Sequence, residues 1–344
     1  MSSFRWFTLL LCFGVFAVPG AFSGCSDVSD AIDALELEID PPDRRPIDRS
    51  RLGVNAFFLN QGNFGTTAQQ FAEIRDTLGI NFVRVLFAWT TDVQPSPAAN
   101  PNYGFYDEVI NSIPAGMDVL IILAHTPNWM VDPANWMNGD PRQTWIERWV
   151  RPTVQRYAGN GRIIGYEVWN EPDMLFFNSD SVLGLAEPNN YVTLLSDAFT
   201  VIRSEDPTKL VVMTATTSIQ QDFSNTLDYN KALRDAGAEN FTDIWNVHWY
   251  GKQYERLIQG GGVADFLNSL TKPIWITESG EQGANNQLSY VEEVWPFLRD
   301  NIPGIDRIYY YRFADVGVSA TNFGLRTDDP AAPVSDLYIS LRDG

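Results

Sequence analysis

Between Arg51 and Gly344, short β-branched apolar runs alternate eight times with amphipathic stretches, a repeat that predicts an α/β fold, a (β/α)8 TIM barrel. Two further observations favour it. The apolar runs are nearly continuous rather than alternating, as parallel strands buried on both faces require. No glycine-rich phosphate-binding turn follows the first strand, which argues against an open doubly wound sheet.

Strands are expected at Leu52–Phe58, Phe82–Phe87, Val119–Ala124, Ile163–Val168, Leu210–Thr214, Ile244–His248, Ile274–Thr277 and Ile308–Tyr311. Helical patterns lie between them at Ala68–Leu78, Tyr106–Ile113, Thr144–Tyr157, Tyr191–Ser204, Tyr229–Asp235, Val263–Ser269 and Leu288–Asp300, and a shorter one follows at Val334–Leu341. No internal linker interrupts residues 51–344, which read as a single domain. The longest insertions follow strands 3, 4 and 8, at Thr126–Gln143, Pro172–Asn190 and Ala314–Pro333. All three fall on the carboxyl-terminal face, where barrels build their sites.

The 344-residue chain carries 24 Lys and Arg against 43 Asp and Glu, a net charge of −19. That balance argues against nucleic acid, whose phosphates need clustered Lys and Arg, and against a polybasic membrane patch. With 44% hydrophobic and 19% charged residues, global disorder is ruled out. The aromatic fraction, 13%, is high and suits a neutral sugar, whose C–H faces stack on rings, although most of these rings serve to fill the core.

Residues 1–24 have the form of an export signal: Arg5, then the 13-residue apolar run Trp6–Val18, broken at Pro19-Gly20. The run is too short to anchor a folded protein across a bilayer. Phe22-Ser23-Gly24-Cys25 resembles the end of a bacterial lipoprotein signal, in which the cysteine is lipidated and becomes the new N-terminus; Phe22 stands where Leu or Val is usual. Cys12 would leave with the signal, so Cys25 would have no disulfide partner. The expectation is an exported lipoprotein, held by a lipid anchor at Cys25 and facing the periplasm or the cell surface. An ordinary cleaved signal with an incidental cysteine is the alternative. Residues 25–50, acidic and then proline-rich, read as a tether or as a cap on the barrel.

Polar residues interrupt the apolar pattern at strand ends. Arg84 lies in strand 2, His125 ends strand 3, and Trp169-Asn170-Glu171-Pro172 follows strand 4. His248-Trp249-Tyr250 ends strand 6, and Glu278 ends strand 7 within Trp275-Ile276-Thr277-Glu278-Ser279-Gly280. Both histidines of the chain are in this set. Taken together these motifs resemble clan A of the glycoside hydrolases, the (β/α)8 retaining glycosidases. Trp-Asn-Glu-Pro, Thr126-Pro127-Asn128-Trp129 and Asn322-Phe323-Gly324-Leu325 are most similar to family 39, while Arg84 and His248-x-Tyr250 also resemble family 5. One departure is Tyr311, near which related sequences carry a Trp that floors the sugar site.

The resemblance implies a retaining glycosidase domain over residues 51–344, with Glu171 as general acid/base and Glu278 as nucleophile. Such chemistry needs a proton donor for the leaving oxygen and a second carboxylate at the anomeric carbon, about 5–5.5 Å apart. The acid must stay protonated while the nucleophile stays ionised. On the resemblance, Arg84 and Tyr250 hold Glu278 as the anion, His248 modulates Glu171, and Asn170 bonds the hydroxyl next to the anomeric carbon. His125 reads equally as a site residue and as a satisfied core histidine. Glu281 is a less favoured nucleophile, and Glu167 is expected to be buried and paired.

Trp89, Trp129, Trp136 and Trp249, just past strand ends, are the expected stacking platforms; Phe176 and Phe177 read equally as extending the cleft and as folding under their own loop. Trp145, Trp149 and Trp295 sit in helical patterns, and Trp169 and Trp275 are expected to fill the layer between barrel and helices. No metal-ligand cluster, Ser-His-Asp arrangement or phosphate loop is legible, so no cofactor or metal is expected. The expected partner is a polysaccharide or oligosaccharide, met by a monomer. A non-catalytic sugar-binding protein on the same barrel, and a transglycosylase using the same site, are the alternative functions.

Overall fold

In the computed structural model, the described residues are 41–58, 61–221 and 225–344; the expected signal, Cys12, Cys25 and the first part of the tether lie outside them. Eight parallel strands form one sheet in the order β5-β4-β3-β2-β1-β8-β7-β6. They are β1 Leu52–Asn55, β2 Phe82–Ala88, β3 Asp118–Ala124, β4 Ile163–Val168, β5 Leu210–Met213, β6 Trp245–Tyr250, β7 Ile274–Gly280 and β8 Ile305–Tyr310. At the seam, Val212 bridges Ile244, and the Asp243 N–H donates to the Val211 carbonyl at 2.8 Å, which joins β5 to β6. The fold is the expected (β/α)8 barrel.

A helix follows each strand. α1 is Thr67–Ala72, continued by a π turn at Glu73–Thr77; α2 is Gly104–Ser112; α3 runs in three pieces, Pro141–Trp145, Ile146–Val150 and Arg151–Tyr157. α4 is Pro188–Glu205, α5 Thr226–Asp235, α6 Val263–Asn268, α7 Gln287–Asn301 and α8 Asp336–Asp343. Local chemistry sets their starts. Thr66 and Gln69 form a capping box on α1, and Asp140 caps α3 ahead of Pro141, where a missing N–H costs nothing. Among the described residues no helix is long and apolar enough to cross a membrane.

The strand bounds differ from expectation where polar residues enter. β6 and β7 run on through His248 and Glu278 to Tyr250 and Gly280, and β8 begins at Ile305, ahead of Asp306 and Arg307. Conversely β1 stops at Asn55 rather than Phe58, and Tyr311 lies past β8. The part of the tether described here does not stand free. Arg44 donates to Glu292 at 2.7 Å and Arg45 to Asp300 at 2.6 Å, both on α7.

Inside the barrel two layers differ in chemistry. At the amino-terminal end, Leu120, Val212, Ile244, Trp275 and Tyr309 form an apolar plug. Trp275 is therefore inside the barrel, not between barrel and helices. Gly53 makes room for this plug, because a Cβ there would lie 2.3 Å from the Tyr309 ring. Above the plug the interior is polar, with Asn55, Arg84, Glu167, Asn246, His248 and Thr277 all buried. Buried polar groups persist only when paired, so this layer forms one network.

Candidate active site

Glu171 is delivered by a strained turn. After β4 the chain passes through two left-handed residues, Trp169 at φ +74° and Glu171 at φ +48°, with the Glu171 N–H donating to the Ala215 carbonyl at 3.0 Å. Each such residue costs about 1–2 kcal/mol and persists where the surroundings over-determine it. Phe58, His125, Gln220 and Gln253, also left-handed, lie on loops that follow β1, β3, β5 and β6. Glu278 is delivered by a bulge. Val247 pairs with Ile276 but His248 pairs with Glu278, so β7 holds one residue more than β6 at this level. Strict alternation would turn Thr277 and Glu278 to opposite faces. With the bulge, Thr277 bonds Asn246 and His248 while Glu278 meets Arg84 and Tyr250.

Arg84 organises the floor. Its Nε and Nη2 donate to the two oxygens of Glu167 at 2.7 Å each, and Nη1 donates to Asn55 at 2.9 Å and to Glu278 at 2.5 Å. Nη2 also donates to Asn170 Oδ1 at 2.7 Å. All five N–H groups are thus engaged. Because arginine only donates, Asn170 must present its oxygen here, leaving its NH2 for a ligand. Asn246 supports Glu167 at 2.9 Å.

The two glutamates meet through His248. Its Nδ1 lies 2.9 Å from Glu171, and its Nε2 lies 3.2 Å from Thr277 and 3.8 Å from Glu278. Glu171, His248 and Glu278 each place one donor atom within 4.8 Å of the others, all three side chains being buried. Burial raises Glu171 above the ordinary carboxylate range, against the His248 hydrogen bond and with the help of the Glu278 charge. Burial pushes Glu278 the same way, but the charges of His248 and Arg84 and the Tyr250 hydroxyl, 2.5 Å away, outweigh it and hold Glu278 below its ordinary value. Burial lowers His248, yet Glu278 and Glu171 more than offset this and leave it raised. The two carboxyls are thus pushed apart, Glu171 toward the weaker acid and Glu278 toward the stronger. The same three donors could hold a metal ion, but Arg84 and Tyr250 already bond Glu278, and a second cation would sit against a guanidinium.

The other expected residues differ in burial. Trp89 is 0% and Trp249 2% exposed, so neither stacks on a sugar. Trp89 lies parallel to Trp149 with its N–H on Gln94, and Trp249 alternates away from its neighbours His248 and Tyr250 into the hydrophobic core. Trp129 and Trp136 are half-buried, their N–H groups bonded to the Gln94 and Met130 carbonyls. His125 is buried, with Nδ1 3.0 Å from Asp180 and its ring edge-on to Phe176 and Phe177. Glu281 is partly exposed and bonds the neighbouring Gln282 N–H.

The rings beside Glu278 are instead Tyr250, Tyr311 and Phe323, mutually edge-on with centroids 5.4–5.9 Å apart, and Phe57 meets Tyr311 at 5.9 Å. Sequence reasoning missed Phe57 as a wall residue, and with it Asn55, Asn246, Thr277 and Asp180. Phe323 was visible as part of a motif. Asn55, Asn246 and Thr277 gave one signal, polar side chains inside runs that should be apolar, whereas Asp180, on the loop after β4, gave none.

The chain matches the family model described as cellulase, glycosyl hydrolase family 5, over residues 47–311. No curated protein matches it. Among solved structures, it resembles a family 39 glycoside hydrolase from the gut symbiont Bacteroides cellulosilyticus WH2, at 17% identity and TM-score 0.63, covering 87% of this chain and 64% of that one. It also resembles the endo-1,4-beta-mannanase of Rhizomucor miehei, at 15% identity and TM-score 0.57, covering 89% and 99%. A third is Thermotoga maritima Cel5A in complex with cellobiose, at 19% identity and TM-score 0.59, covering 86% and 96%. At these identities the structures speak for the fold alone. Since the family match takes in all of β1 to β8, the chain belongs to the cellulase family, glycosyl hydrolase family 5.

Proposed function

We propose that the protein is a retaining glycoside hydrolase that cleaves O-glycosidic bonds of an oligosaccharide or polysaccharide by double displacement. The observation that carries this reading is the spacing of Glu171 and Glu278, with oxygens within 4.8 Å, together with their opposite displacement in acidity. An inverting enzyme needs roughly 6.5–9.5 Å to seat a water between its carboxyls. Glu278 attacks the anomeric carbon while Glu171 protonates the leaving oxygen. The covalent glycosyl intermediate then falls to a water that returns its proton to Glu171. Asn170 donates to the hydroxyl next to the anomeric carbon, and Tyr250 and Arg84 keep Glu278 ionised. The structural neighbours named above include a β-1,4-mannanase and a cellobiose complex, which makes β-linked glycans the first substrates to try.

The test is direct. Glu278→Ala should lose at least about 10³-fold in kcat, in line with removing a member of a catalytic unit, and recover with azide to give a glycosyl azide. Wild-type product, followed by proton NMR, should appear first with the anomeric configuration of the substrate. Turnover that survives both Glu171→Gln and Glu278→Ala rejects the assignment.

We further propose export and lipid anchoring at Cys25. Support for this comes from the sequence of residues 1–25 alone.

A further inference from the structure

Arg312 contrasts with Arg84. It follows β8, beside Tyr311, and its guanidinium carbon lies 5.6 Å from the Tyr311 ring and 5.9 Å from that of Phe57. Tyr311 meets Tyr250, which bonds Glu278, so Arg312 belongs to the wall next to the nucleophile. Its Nη2 is paired with Asp315. Its Nε–H is sealed from any ligand, whereas Nη1 is neither buried nor hydrogen-bonded, and the side chain as a whole stays 26% exposed. The two N–H groups of Nη1 are therefore the donors a ligand acceptor can reach. The rings hold the guanidinium in place, and Asp315 fixes one edge of its fork.

The electrostatic setting gives this arginine a consequence. Asp315 is paired with this arginine, Glu278 is reached through Tyr311 and Tyr250, and the chain carries a net charge of −19. An anionic substituent would be repelled unless a cation with open donors met it. Arg84 has none open. Lys252 is paired with Glu293, and Arg326 with Glu73.

We propose that Arg312 recognises a negatively charged oxygen group on the sugar bound against Glu278, either the carboxylate of a uronic acid or a sulfate ester. The location rests on the glycosidase reading of the cleft, but the test does not need turnover. Calorimetric titration of the wild-type protein with glucuronate, glucose 6-sulfate and glucose, at one ionic strength, should show at least one anion binding about tenfold tighter than glucose. The tighter anion identifies the group. Arg312→Gln should bring it down to the level of glucose, and Arg312→Lys, which keeps the charge without the fork, should recover part of the preference. Glucose binding as tightly as both anions overturns the proposal. So does binding of none of the three, or a preference that Arg312→Gln leaves unchanged. If Arg312→Gln does not fold, a full preference retained in Arg312→Lys rejects the fork, and the wild-type comparison still decides on charge. Loss of turnover in Glu278→Ala with no anion preference in the wild type would reject this proposal alone.

Discussion

The guanidinium of Arg84 donates to both Glu167 and Glu278, so the ionisation of the proposed nucleophile is tied to a carboxylate buried beneath it. Tyr250 supplies the neighbouring bond, and its phenol, raised by burial and by the Glu278 charge, remains a donor. Removing that bond with Tyr250→Phe should raise Glu278 by about 1–2 pH units, the value of one charge-assisted hydrogen bond. The acid limb of the kcat/KM profile should move up accordingly, while the basic limb, set by Glu171, stays; an unmoved acid limb counts against the role of Tyr250. Glu171 makes a prediction about stability. Its folded pKa lies above the unfolded one, so above the unfolded value ionisation favours the unfolded chain, and stability falls as pH rises through the folded value. Glu171→Gln removes that penalty. At pH 7–8 it should melt about 1–2 °C higher by calorimetry, the effect of roughly 1 kcal/mol in a chain of this size. A lower melting temperature would show that the ionised carboxylate stabilises the fold.

At the scale of the element, the strands carry the site rather than merely ending at it. His248, Tyr250 and Glu278 lie within β6 and β7, and the bulge turns Glu278 toward Arg84. Close strand approach has its own requirements. A Cβ at Gly165 on β4 would lie 2.5 Å from the Leu210 carbonyl oxygen on β5, a backbone atom that cannot yield without loosening the ladder. Gly165→Ala should therefore destabilise the barrel by about 1–3 kcal/mol, read from its urea midpoint. A shift within a few tenths of a kcal/mol would mean that β4 and β5 separate easily. Strand existence was legible because apolar runs are long and β-rich. The ends were not, since a polar residue looks alike whether it terminates a strand or enters a buried network.

For the whole molecule, the division of the barrel interior decides where chemistry is possible. An apolar plug of Leu120, Val212, Ile244, Trp275 and Tyr309 fills the amino-terminal end, and the polar layer above it opens to the loops carrying Glu171, His125 and Arg312. If Cys25 is the anchor, the wild-type protein expressed in bacteria should fractionate with membranes and take up a labelled acyl chain, whereas Cys25→Ser should be soluble and unlabelled. A labelled Cys25→Ser protein, or an unlabelled wild type, would end the lipoprotein reading.

The succession of apolar runs determined the barrel by itself, because eight strands and eight helices in alternation have few ways to bury their apolar faces. The resemblance carried by Asn-Glu-Pro and Thr-Glu-Ser likewise singled out Glu171 and Glu278, carboxylates just past the expected ends of strands 4 and 7. Only the tertiary structure decided which aromatic rings line the cleft. Trp89 and Trp249 stand near strand ends just as Tyr311 does, yet one-residue differences in register turn the first two into the core and leave the third beside Tyr250. Side-chain direction alternates at every step along a strand, so an uncertainty of one position, harmless for locating a strand, is enough to exchange the core for the cleft.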